Sequence, residues 1–144
     1  MLRKAELNPT STTSAGRVVV LHAFQMLCLA CIHHGLPRAQ RIRATFAERD
    51  VAVIGLHTYS SAAMTTVSLR TYLHEYRIRF PVGVDAPGAD PNDPMPVTMR
   101  AYGMRGTPTL LLIDRNGDLR RHVFGAEDDL TLGAAIAALI VESG

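Results

Sequence analysis

The chain has 144 residues, 47% of them hydrophobic, and a formal net charge of +2 at pH 7. That length accommodates one domain with one sizeable core and leaves no room for two. The composition excludes a disordered chain, and the scatter of basic residues excludes a nucleic-acid or membrane-binding patch.

Residues 1–16 contain Asn8-Pro9 and a Ser/Thr cluster, so they read as a loose lead-in to a single domain over 17–144. They lack the apolar centre of a secretory signal, and a cytoplasmic location is expected, or a periplasmic one if a signal has been removed. No apolar stretch approaches the roughly 20 residues that cross a bilayer. Arg17 to Phe24 (RVVVLHAF) is β-branched and apolar, which predicts a central strand covered on both faces. A helix is predicted from about Leu29 to Arg49. Leu36, Ala39, Ile42 and Phe46 form its apolar face, and Arg38, Arg41 and Arg49 fall on its wet side. Pro37 interrupts the ladder and predicts a kink after the first turns.

Val51 to His57 reads as a second buried strand. Val67, Leu69, Leu73 and Tyr76 mark a second helix, and Phe80 to Val84 a short strand. Asp85 to Pro96 is rich in Pro, Asp and Gly and reads as a loop, with a short helix over Val97 to Tyr102. Thr109 to Asp114 is a strand. Arg115-Asn116-Gly117 then supplies an Asn-Gly hairpin turn, because both Asn116 and Gly117 tolerate positive φ, and Asp118 to Phe124 returns as the partner strand. Leu130 to Val141 closes the chain as a helix with Leu132, Ile136, Leu139 and Ile140 toward the core. The order β-α-β-α-β-α-β-β-α predicts an α/β domain with a mostly parallel sheet, helices on both faces and an antiparallel edge.

Cys28 and Cys31 are the two cysteines of the chain. Two are too few for a disulfide scaffold, but a CxxC beside a βαβ pattern reads as a redox motif. Cys28 opens the first helix, where free N–H groups and the positive end of the helix dipole favour a thiolate. Cys31 lies one turn along the same face and can reach it. Cys28 is then the nucleophile that forms a mixed disulfide, and Cys31 the thiol that resolves it. Two structural cysteines at this spacing are an alternative. A zinc site with His33 and His34 is another, although a rigid helix cannot turn all four side chains to one tetrahedral point. His22, six residues before Cys28 in an apolar strand, is either a buried base for the Cys31 proton or a core histidine held by a hydrogen bond. His33 and His34 either assist the Cys28 thiolate electrostatically or belong to a solvated helix face. Thr107-Pro108 opens a strand at a position where proline costs no ladder donor.

These pieces together resemble the thioredoxin superfamily, and within it the TlpA/ResA-like or AhpC/TSA-type redoxin branch. The resemblance runs from Gly16 to the C-terminus. It rests on VVVLHAFQMLCLAC leading into a helix, on FPVGVD and on RGTPTLLLIDRNGDL. It implies a thioredoxin-like fold with a central mixed sheet flanked by helices. It also implies a cis proline at Pro108 facing the CxxC pair, and a Thr107 backbone that pairs with bound substrate. In thioredoxins the position of His22 often carries a buried acid, which strengthens a proton-handling role. Leu27 stands where a Trp is common, and Leu29-Ala30 replaces the common Gly-Pro. That intervening pair tunes redox potential in the family, so the direction of electron flow stays open. Gln25 and Leu21 occupy positions where a peroxiredoxin carries Thr and Pro, which speaks against peroxidase chemistry through that motif.

The expected activity is thiol–disulfide exchange between the Cys28/Cys31 dithiol and a partner disulfide, with Thr107 and Pro108 as the substrate lip. The reading calls for no metal and no organic cofactor beyond the redox-active disulfide. The expected partners are protein or small-molecule disulfides and a thiol reductant, with no nucleic acid or membrane, and a monomer is expected. The alternatives are a peroxide-reducing redoxin and a non-catalytic binding module of the same fold.

Overall fold

The first strand, β1 (Val18–Phe24), has all seven of its side chains buried. It lies at the centre of the sheet and is covered on both faces. The computed structural model describes residues 16–58, 66–93 and 95–142. The predicted lead-in, apart from Gly16, and Pro94 of the predicted loop lie outside the described residues. After β1 come α1 (Leu36–Thr45), β2 (Val51–His57), α2 (Thr66–Glu75), β3 (Val82–Val84), α3 (Val97–Ala101), β4 (Thr109–Ile113), β5 (Leu119–Phe124) and α4 (Asp129–Val141).

The strands are ordered β3-β2-β1-β4-β5. Two neighbouring pairs, β1–β2 and β2–β3, are parallel, and two, β1–β4 and β4–β5, are antiparallel. The sheet is therefore evenly mixed rather than mostly parallel with one antiparallel edge. The physical reason is the return path: the chain re-enters the sheet at the far end of β1, with Thr109 beside Ala23, so β4 must run back along it. This reversal matters for the site, because it sets Pro108 next to the loop that leaves β1.

Alternation along β1 divides the core. Val18, Val20 and Phe24 pack with Leu36, Ala39 and Ile42 of α1, Leu69 of α2, and Leu132, Ile136 and Leu139 of α4. Val19, Leu21 and Ala23 face the other way and pack with Met99, Met104, Leu111 and Ile113. Helix α3 is tied down by Asp85, a buried carboxylate that accepts from the backbone N–H groups of Thr98 and Met99 and from the Thr58 hydroxyl. Asp128 caps α4 by accepting from the Thr131 N–H, 3.2 Å away. No helix among the described residues is long and apolar enough to cross a membrane.

Three further expectations are corrected. Helix α1 stops at Thr45, because Phe46 turns to extended backbone and the Arg43 guanidinium binds the Phe46 and Val51 carbonyls that follow. In the β4–β5 turn only Gly117 adopts positive φ, at 89°. The Asp114 carboxylate holds the other turn residues by accepting from the N–H groups of Asn116 and Asp118. The most consequential correction concerns Arg38. It is not on a wet face but 2% exposed. It lies one turn before Ile42, on the flank of α1 that α4 covers, and its Nη1 donates to the Gly125 carbonyl at 2.9 Å.

Candidate active site

β1 ends at Phe24, and four residues later Cys28 begins the helical run of 29–45. Cys28 and Cys31 are joined as a disulfide with their Cα atoms 5.2 Å apart. The backbone N–H of Cys31 points at the Cys28 Sγ from 3.2 Å. In the reduced pair that donor, with the helix N-terminus behind it, stabilises negative charge on Cys28. The two sulfurs differ sharply in access. Cys31 is fully buried, whereas Cys28 is half-buried between Leu27 and Leu29, which are 73% and 69% exposed.

The helix does not run on uniformly. Cys31–Gly35 forms a π-helical turn before α1 continues at Leu36. The interruption expected from Pro37 takes this form, a widened turn immediately before a proline that has no N–H to give. Gly35, at the end of that turn, is the point of closest approach to two other parts of the site. A Cβ placed on it would lie 2.6 Å from the His22 ring and 2.9 Å from the Pro108 ring. Gly35 is what allows the helix, β1 and the start of β4 to meet.

The Thr107–Pro108 peptide bond is cis. The Thr107 carbonyl oxygen lies 3.6 Å from the Cys28 Sγ. The Gly125 N–H donates to the Pro108 carbonyl at 2.9 Å, and the Thr109 hydroxyl donates to the Gly106 carbonyl at 2.6 Å. Beside this lip the Phe124 ring is partly exposed, with the Arg105 guanidinium 5.2 Å from its centre.

His22 lies on the helix-facing side of β1, as alternation predicts, and is fully buried with its ring stacked 5.5 Å from that of Phe24. Among the described residues neither ring nitrogen has a hydrogen-bond partner, so no core histidine held by a hydrogen bond forms within them. Burial first, and the Arg38 charge second, lower its pKa to about 3. The site thus gathers Cys28, Cys31, His22, Thr107 and Pro108. His33 and His34 are exposed on the helix surface and belong to its solvated face. Among the described residues no three His, Cys, Asp or Glu side chains converge where a metal ion could be held.

One residue of the site was missed by sequence reasoning. His57, at the end of β2 and directly opposite Phe24, is buried and accepts the Met26 N–H at Nε2 over 3.1 Å. That bond requires an unprotonated Nε2, and burial lowers the pKa of His57 to about 4. It fixes the loop that carries Cys28. The available signal was a histidine closing an otherwise apolar strand.

A disulfide at the first turn of a helix, set against a cis proline that opens an antiparallel strand, defines this as a thioredoxin-fold dithiol domain. No protein-family model matches the chain. The crystal structure of a thioredoxin-like superfamily protein is 57% identical and aligns over 90% of this chain and 83% of that one with a TM-score of 0.85. A thiol-disulfide isomerase from Corynebacterium glutamicum is 41% identical over 90% of this chain and 84% of its own, with a TM-score of 0.84. The chain belongs to the thioredoxin-like superfamily. It is also similar to the thiol-disulfide oxidoreductase ResA of Bacillus thuringiensis subsp. konkukian, at 24% identity over 112 residues, or 78% of this chain. The match spans 57% of the length of that curated relative.

Proposed function

We propose that the protein is a thiol–disulfide oxidoreductase acting on partner proteins through Cys28 and Cys31. The observation that carries this reading is the asymmetry of the pair, with Cys28 reaching the surface at a helix start and Cys31 fully buried behind it. In one direction the Cys28 thiolate attacks a partner disulfide, forming a mixed disulfide and releasing one partner thiolate. Cys31 then loses its proton and attacks Cys28 Sγ, closing the Cys28–Cys31 bond and releasing the second partner thiolate. Two electrons leave the protein, and the reverse sequence returns them. The exposed Leu27 and Leu29 give the partner an apolar rim to rest on. The names of the relatives, an isomerase and an oxidoreductase of thiols and disulfides, support the same reading.

Brief alkylation of the reduced protein at neutral pH tests the assignment. Cys28 is expected to label at least about tenfold faster than Cys31, since only an accessible thiolate reacts. Cys31→Ser is expected to retain partners as mixed disulfides, and Cys28→Ser to retain none. Equal labelling of the two thiols would sink the assignment.

For His22 we propose a neutral role. A ring that holds a proton only below about pH 3 is poorly matched to a thiol that titrates near 8.5. It supports the helix at Gly35 and keeps carboxylate charge from beneath the dithiol. His22→Asn is accordingly expected to slow resolution of the mixed disulfide less than tenfold, whereas loss of a general base costs about 10²–10⁴. Stopped-flow resolution rates across pH decide between the two roles.

A further inference from the structure

Arg38 is a charged side chain that the exchange mechanism does not use, and it is buried directly behind the site. Its Nη1 donates to the Gly125 carbonyl at 2.9 Å, and the Gly125 N–H donates in turn to the Pro108 carbonyl at 2.9 Å. The guanidinium is thereby linked to the cis-proline lip. Its Nε and Nη2 are buried without hydrogen-bond partners among the described residues. The two acids whose charges reach it are each committed to another arginine, Asp129 to Arg41 and Glu127 to Arg121. The other buried carboxylates among the described residues are engaged elsewhere, Asp85 at the start of α3 and Asp114 at the β4–β5 turn. Arg38 follows Cys31 by seven residues, about two helical turns or roughly 10 Å along the same helix. Gly35, packed close to the neutral His22 ring, lies between them along the chain. The dithiol therefore rests on ground that holds a cation and, among the described residues, no free buried carboxylate.

We propose that Arg38 sets the direction of exchange: its buried cation stabilises the thiolate form of the Cys28/Cys31 dithiol and makes the protein an acceptor of electrons from dithiol proteins. The inference rests on the exchange reading above and adds to it the substrate class. A partner thiolate attacks Cys28 Sγ, the accessible sulfur, and the Cys31 thiolate leaves. A second partner thiol loses its proton and attacks the partner sulfur of the mixed disulfide. The partner disulfide closes, and the Cys28 thiolate leaves into the field of Arg38. Two electrons pass from partner to protein, and a second disulfide-bearing protein takes them away by the reverse steps. Arg38 is a positioning residue in this scheme, since it touches neither sulfur nor substrate.

Cys28 lies ten residues before Arg38, roughly 15 Å along the helix, and at an effective dielectric constant of about 20 one charge at that distance changes a thiolate fraction about sixfold, or about 0.8 pKa unit. Arg38→Met and Arg38→Lys separate charge from packing. Two measurements are made on each: the Cys28 pKa, from the pH dependence of alkylation, and the equilibrium of the disulfide with reduced and oxidised glutathione. Arg38→Met is expected to raise the Cys28 pKa by about 0.8 unit and to move the equilibrium by up to about tenfold toward the protein disulfide. Arg38→Lys is expected to stay within about threefold of the wild type in both. Arg38→Met without effect on either readout would overturn the proposal. So would equal shifts in both variants, which would assign the effect to the Gly125–Pro108 linkage rather than to charge. Should Arg38→Met fail to fold, the wild type decides: a Cys28 thiol titrating near 8.5, the value of a free cysteine, excludes a stabilising cation. Exchange with glutathione that ignores Arg38 would overturn this inference alone, whereas no exchange at all would overturn the reading it rests on as well.

Discussion

A Gly35→Ala variant is expected to lose stability and exchange activity together, against the ordinary sign of that substitution. In a helix interior alanine is better than glycine by about 0.8–1.0 kcal/mol. At Gly35 the added methyl would stand 2.6 Å from the Cε1 of His22 and 2.9 Å from the Cβ of Pro108. Both neighbours are atoms of rings held in place, not the free ends of flexible side chains, so the helix, β1 and the proline lip must move apart. Overpacking of this kind costs about 1–3 kcal/mol, which outweighs the propensity gain. Displacement of the lip carries the Thr107 carbonyl away from Cys28, and a misplacement of about 1 Å can cost about 10²-fold in rate. Gly133 of α4 is the internal control, since a Cβ there meets nothing within 4 Å. Gly133→Ala should stabilise the protein by up to about 1 kcal/mol and leave exchange unchanged. Urea midpoints and turnover with a protein disulfide would check both variants, and a stable, fully active Gly35→Ala would refute the account of the turn.

Most of the fold was legible because its signals are local. The continuous apolar runs VVVLHAF and VAVIGLH mark buried strands, and the CxxC falls where a strand gives way to a helix. What was not legible depends on packing between distant segments. Arg38 satisfies every local rule for a wet helix position, yet α4, nearly a hundred residues away in the chain, covers that flank. Its Nη1 donates to the Gly125 carbonyl, a partner that no periodicity in α1 can reveal. The antiparallel β1–β4 pairing likewise follows from where the chain re-enters the sheet rather than from the composition of either strand. His57 shows a subtler gap. It reads as the polar end of a strand, and its value lies in accepting a bond from Met26, 31 residues before it in the chain. Pro37 marks an interruption in the sequence, but the resulting π-turn and the close approach of Gly35 to two rings depend on the partners that the turn meets.

Stability is expected to fall steeply as pH drops from 6.5 toward 4, and the two buried histidines explain why. His22 and His57 have pKa values lowered by burial to about 3 and about 4, whereas in the unfolded chain each titrates near 6.5. Above pH 6.5 both states hold the two rings neutral, and they add no pH dependence. Below it the unfolded state takes up protons that the folded state refuses, so unfolding becomes easier with each step down in pH. The loss continues until the folded pKa is reached. For the fully buried His22 the slope is about 1.4 kcal/mol per pH unit. His57 adds to it until pH approaches 4, with a further consequence: the protonated ring can no longer accept the Met26 N–H, and the loop before Cys28 loses its anchor. The carboxylates of Asp114 and Asp129 have pKa values lowered by hydrogen bonds, to backbone N–H groups at Asp114 and to Arg41 at Asp129. Their contribution is present above the usual carboxylate range and lost only at more acid pH, which leaves the window between 6.5 and 4.5 to the histidines. Urea unfolding of the oxidised protein at half-unit steps from pH 7.5 to 4.5 measures the slope directly. His57→Gln keeps an acceptor for Met26 and removes one titrating ring, so it should flatten the slope by about half while leaving stability at pH 7.5 within about 1 kcal/mol. A wild type whose stability does not change between pH 6.5 and 4.5 would show that these rings are not held neutral in the folded protein.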